Sequence, residues 1–127
     1  MAELDEAFAP LRALVAELAL PGLVEAPSYG TPGLKVKGRF LARLREPDVL
    51  VVVCPLDEKE FLIEADPESF FETEHYKGWP AVLVRLSRIE RESLALLIER
   101  AWRTQAPKRL LEAFEAVPGL KDASRAT

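Results

Sequence analysis

Leu34-Lys35-Val36-Lys37-Gly38-Arg39-Phe40-Leu41-Ala42-Arg43-Leu44-Arg45 interleaves apolar and basic residues on either side of a Lys-Gly pair. Period-two alternation is the signature of a strand with one buried face. Gly38 tolerates the positive φ of a tight turn, so Lys37-Gly38 is expected to join strands at 34–37 and 39–45 into a β-hairpin. Glu46-Pro47-Asp48 makes the next turn. Val49-Leu50-Val51-Val52-Val53-Cys54 then runs almost without a polar residue, as a central strand buried on both faces does. Consecutive strands joined by tight turns pair antiparallel.

Helical patterns flank this core. Leu11, Leu14, Val15 and Leu18 recur at helical spacing, which predicts a helix over 8–20 with Pro10 in its first turn and Pro21-Gly22 as its stop. A short strand is expected near Val24–Ala26, then a turn-rich loop through Tyr29. Asp57 and Glu60 have the spacing of a capping box for a helix over 57–65, with Phe61, Leu62 and Ala65 on its buried side. Residues 66–71 read as a short turn, and 72–80 as a loop carrying His75, Tyr76 and Trp79. A strand at 81–86 follows, and then the longest helix, read as Ser87–Thr104 with its regular part from about 90. Leu94, Leu97, Ile98, Ala101 and Trp102 form its apolar stripe. A last helix at 107–116 turns Leu110, Leu111 and Phe114 inward. Strands grouped together with helices at both chain ends mean one α+β domain, a helix-backed antiparallel sheet over 1–117, with a flexible tail at 118–127.

The 127 residues suit one domain, and 49% hydrophobic with 30% charged residues is a globular composition. No apolar run approaches membrane-spanning length, and the acidic start Met1-Ala2-Glu3-Leu4-Asp5-Glu6 lacks the basic region of a secretory signal. The expected location is cytoplasmic, with no membrane partner. A net charge of −4 counts against coating nucleic acid by bulk charge.

Catalytic and metal chemistry find little support. Cys54 and His75 are the sole residues of their types, which excludes a disulfide framework and most zinc sites. Cys54 sits in an apolar strand, where a thiol packs as a small hydrophobe. Ser28 lies in a Gly/Pro loop that His75 can approach, yet nothing in the sequence brings the two together. Asp57, Glu58, Glu60, Glu64, Asp66, Glu68, Glu72 and Glu74 read as a solvated acidic face. No phosphate-cradling glycine motif is present. The expectation is a protein that is not an enzyme, with no metal and no cofactor.

The cations are unevenly placed. Lys35, Lys37, Arg39, Arg43 and Arg45 cluster in the hairpin. If Phe40, Ala42 and Leu44 face the core, strict alternation turns all five outward as a basic wing able to lie along phosphates. The same charges also suit an edge strand kept soluble. Lys108 and Arg109 open the last helix, where the dipole disfavours cations, so an anion-binding role is one reading and an acidic partner the other. Tyr29, Tyr76 and Trp79 lie in loops and are candidates to line a pocket with Lys108 and Arg109 at its rim.

Several ordered segments resemble the MmcQ/YjbR family: Leu20-Pro21-Gly22-Leu23-Val24-Glu25, Ser28-Tyr29-Gly30-Thr31-Pro32, Leu34-Lys35-Val36-Lys37-Gly38-Arg39-Phe40, Ala65-Asp66-Pro67-Glu68-Ser69-Phe70-Phe71, His75-Tyr76-Lys77-Gly78-Trp79-Pro80, and Ala101-Trp102-Arg103-Thr104-Gln105-Ala106-Pro107-Lys108-Arg109-Leu110. The resemblance departs at Gly33-Leu34, where an aromatic is commoner at the second position. It implies a compact α+β domain similar to double-wing DNA-binding domains, and a DNA-binding label. Two functions stand as expectations. One is a non-enzymatic module that contacts DNA phosphates weakly through the basic hairpin. The other is a protein- or small-anion-binding domain built on the aromatic loop pocket.

Overall fold

The computed structural model describes residues 2–116. The elements are α1 (Ala2–Leu18), β1 (Leu23–Glu25), β2 (Gly33–Val36), β3 (Arg39–Glu46), β4 (Val49–Val53), α2 (Leu56–Ala65), β5 (Phe70–Phe71), a 3₁₀ turn (Glu74–Tyr76), β6 (Ala81–Arg85), α3 (Arg91–Gln105) and α4 (Lys108–Ala116). The six strands form one sheet in the order β1-β2-β3-β4-β6-β5, every neighbouring pair antiparallel. The α+β class is therefore as expected. The expected tail at 118–127 lies outside the described residues.

Alternation along the strands builds two unequal cores. Leu50 and Val52 of β4, Val82 and Val84 of β6, and Phe70 of β5 join Phe8, Leu14, Ile98, Trp102 and Phe114 from the helices. Their neighbours Val49, Val51, Ala81 and Leu83 point the other way, into a small cluster with Phe40, Phe71 and Tyr76. Among the described residues the α-helices contribute to the first core alone, and the second face of the sheet is covered by loops and the 3₁₀ turn. The indole N–H of Trp102 donates to the Pro21 carbonyl at 2.8 Å, and its ring meets Phe114 edge-on at 5.1 Å. One side chain thus joins α3, α4 and the turn after α1.

Four local expectations are corrected. Helix α1 begins at Ala2 and, at 17 residues, is longer than α3 at 15. Pro10 therefore lies inside it rather than in its first turn; the ring is exposed, and burial of Phe8 anchors the preceding turn. The capping box does not form, because α2 starts one residue earlier with Pro55 at the cap, and Asp57 instead accepts a bond from the Glu58 N–H at 2.9 Å. On α2, Phe61 is exposed and Ala65 is too; the buried residue is Lys59, flanked by half-buried Leu62 and Ile63. Finally, residues 70–71 are a sheet edge rather than a turn.

Candidate groove on the open sheet face

The hairpin turn is as expected: Lys37 and Gly38 have φ of 50° and 80°, the doubly positive pattern that matches strand twist. What alternation alone misses is a bulge. Leu34 pairs with Ala42 while Lys35 pairs with Phe40, leaving Leu41 as an extra residue on β3. An extra residue reverses the parity of everything on one side of it. Leu41, Ala42 and Leu44 therefore all enter the helix-side core, and Phe40 turns to the open face.

The basic wing is split by the same bulge. Arg39 pairs with Val36, a helix-side residue, and its guanidinium reaches the Gln105 carbonyl at 3.4 Å, so it leaves the open face. Lys37 leans over Gly22 on that same side. Lys35, paired with Phe40, lies on the open face, as do Arg43 and Arg45, whose guanidiniums face Tyr29 and Tyr76 at 5.3 and 6.0 Å. The five expected to point outward together thus divide into Lys35, Arg43 and Arg45 on one side and Lys37 and Arg39 on the other.

Over the open face lies a groove of about 930 Å³. Its floor is Phe40, Val51, Val53 and Ala81, and its walls are Tyr29, Tyr76 and Trp79, so the three loop aromatics do share one pocket. Lys35 and Arg43 line it, and no carboxylate does among the described residues. Ser28 and His75 also line it, with no hydrogen bond between them among the described contacts. Lys108 and Arg109 are not at its rim: both are exposed at the start of α4, and Lys108 faces Glu112 of its own helix at 4.0 Å rather than the acidic 57–74 segment.

The groove residues are positioned by contacts that periodicity does not announce. Arg43 donates to the Tyr76 hydroxyl at 3.2 Å and approaches Thr31 Oγ1 at 3.5 Å, bridging the two loops that form the walls. Lys59, with 2% of its side chain exposed, bonds Glu72 Oε1 at 2.8 Å, the Tyr76 carbonyl at 2.8 Å and the Trp79 carbonyl at 2.9 Å. An ammonium has three N–H donors, so all of them are used, and burial of the charge is compensated. The sole sequence signal for Lys59 is a lysine on the inward side of an amphipathic helix.

Four arginines are paired with acids away from the groove. Arg12 bonds Asp5 and Glu25 at 2.6 Å each, which raises its already high pKa further. Arg91 pairs with Glu17, Arg100 with Glu58, and Arg103 with Glu99 and Glu115. Lys35 and Arg43 have no carboxylate partner among the described contacts. Cys54 is buried on the helix side, and desolvation, reinforced by the charge of Glu58, pushes its thiol up to about 12. It is therefore no ready nucleophile.

A helix-backed antiparallel α+β domain with an aromatic, cationic groove on its uncovered face is the class of protein these features define. The YjbR family model matches residues 18–104, and the chain belongs to that family. The match includes every groove-lining residue and stops short of Lys108 and Arg109. Over 58 residues the chain is 52% identical to an uncharacterized protein of Mycobacterium bovis and to uncharacterized proteins of two Mycobacterium tuberculosis strains, CDC 1551 and H37Rv. The aligned stretch is 46% of this chain and 45% of each relative, so the chain spans about half the length of the curated relatives it matches. No solved structure matches significantly. No helix among the described residues is long and apolar enough to cross a membrane.

Proposed function

We propose that this YjbR-family domain is a non-enzymatic binding module that holds a small anionic ligand in the open-face groove. One observation carries the reading: Lys35 and Arg43 line an aromatic cavity that no carboxylate enters among the described residues, while Arg12, Arg91, Arg100 and Arg103 are matched with acids. A half-buried guanidinium in such surroundings attracts an anion more strongly than one in bulk water does. The groove lining places no acid or base in hydrogen-bond contact with a nucleophile among the described contacts, which favours binding over catalysis.

The test is a low-salt titration of the full chain with phosphate and sulfate, followed by calorimetry or by tryptophan emission. The reading expects saturable binding that the K35Q/R43Q variant loses and that the K108Q/R109Q variant retains. Equal binding by parent and K35Q/R43Q overturns it.

Nucleic acid is the second reading, favoured by Arg45 standing beside Lys35 and Arg43 on one face. With Lys35, Arg43 and Arg45 as the phosphate contacts, duplex binding would have a log–log salt slope of about −3 or shallower. Duplex affinity insensitive to R43Q and R45Q removes this face from the account.

A further inference from the structure

Tyr29 is held in a conformation that its residue type disfavours. Ser28 and Thr31 form a β-bridge with backbone bonds of 2.9 and 3.1 Å, and Thr31 Oγ1 donates to the Ser28 carbonyl at 3.0 Å. The two residues between them, Tyr29 and Gly30, have φ of 53° and 76°. Glycine takes the left-handed region freely, and asparagine nearly so, whereas an ordinary side chain there is strained. Burial does not compensate the strain, because Tyr29 is 88% exposed. The fold therefore holds a large ring in water at the tip of a miniature hairpin. The structure beneath that ring is specific. The Arg43 guanidinium lies 5.3 Å from its centroid, within cation–π range, and Trp79, 60% exposed, bounds the same groove.

We propose that the ligand is a small molecule in which a flat aromatic ring carries an anionic group. The ring stacks against Tyr29 and Trp79, and the anion meets Arg43 and Lys35. Exposed rings without polar partners are platforms for stacking, and such stacking is tolerant of which flat ring it receives. A groove of about 930 Å³ is large enough for a ligand of that size. The inference rests on the anion-binding reading above and adds the chemical class of the ligand.

The test compares adenosine 5′-monophosphate with ribose 5-phosphate, which carries the same anion without the ring, on the parent, Y29F and Y29N. The nucleotide is expected to bind the parent about tenfold tighter than the sugar phosphate. Y29N is expected to lower nucleotide affinity about fivefold or more, leave sugar-phosphate affinity unchanged and raise the melting temperature, because asparagine relieves the backbone. Y29F should bind as the parent does. Equal affinities for the two probes overturn the ring and leave the anion site standing, whereas binding of neither probe removes the anion site itself. A lower melting temperature in Y29N shows the ring to be structural and overturns the proposal. So does a single-stranded oligonucleotide that binds when the mononucleotide does not.

Discussion

Lys59 shows how one side chain can govern a site it does not line. Its ammonium ties the backbone at Tyr76 and Trp79 and the carboxylate of Glu72, so the loop carrying two of the groove's rings is fixed from behind. K59M leaves two carbonyls and the partly exposed Glu72 carboxylate without their donor, and each polar group left buried and unsatisfied costs about 1–3 kcal/mol. A large fall in melting temperature is expected, with faster amide exchange confined to 72–80 if the variant still folds. E72Q should cost less, because two carbonyl bonds remain and Glu72 is 35% exposed. If E72Q is the more damaging of the two, the carbonyl contacts are not what holds the loop. Cys54 offers a second check. Its thiol should label slowly in the native state, since access requires opening of the sheet. The folded protein holds the thiol proton to about pH 12 against 9.0 for a free thiol. A raised folded value stabilises below the unfolded pKa, and that contribution is lost as pH climbs from about 9 toward 12. C54A should therefore lose less stability than the parent across that window in denaturant melts, and identical slopes would count against burial as the cause.

Two hairpin glycines are required for different reasons. Gly38 has φ of 80° and open space around a prospective Cβ, so G38A costs only backbone strain, about 1 kcal/mol. Gly33 has no such φ, but a Cβ there would sit 2.7 Å from the Ala42 carbonyl oxygen and 3.0 Å from that of Ala26. G33A must therefore displace backbone beside the bulge and should be the more destabilising of the two in chemical denaturation. The reverse order would mean that β2 can slide. The hairpin was legible because turn chemistry and alternation are local. The bulge was not: Leu41 and Phe40 are both apolar and fit either face, and the choice depends on which partner strand residue each opposes. The same limit explains α1. Pro10 reads locally as a first-turn residue, but burial of Phe8 against the sheet favours helix on its N-terminal side.

Across the whole molecule, charge is sorted by face. The arginines of α1 and α3 join helices to neighbouring elements through carboxylates, whereas the open face keeps Lys35 and Arg43 without them. Replacing Lys37 and Arg39 with Gln should leave anion binding and its salt dependence unchanged, whereas replacing Lys35 and Arg43 should abolish it. Equal losses from the two pairs would show that the charges act as one diffuse field. The sequence by itself determined the class of fold, the central β4, the tight turn at 37–38, the buried stripe of α3 and the three loop aromatics. Each of these depends on neighbours within a few positions along the chain. Only the tertiary structure decided that Lys59 is buried, that the basic strand residues divide between two faces, and that Tyr29, Tyr76 and Trp79 meet Arg43 over one groove. Those outcomes depend on register and on contacts between segments tens of residues apart, and neither the period of a strand nor the stripe of a helix carries that information.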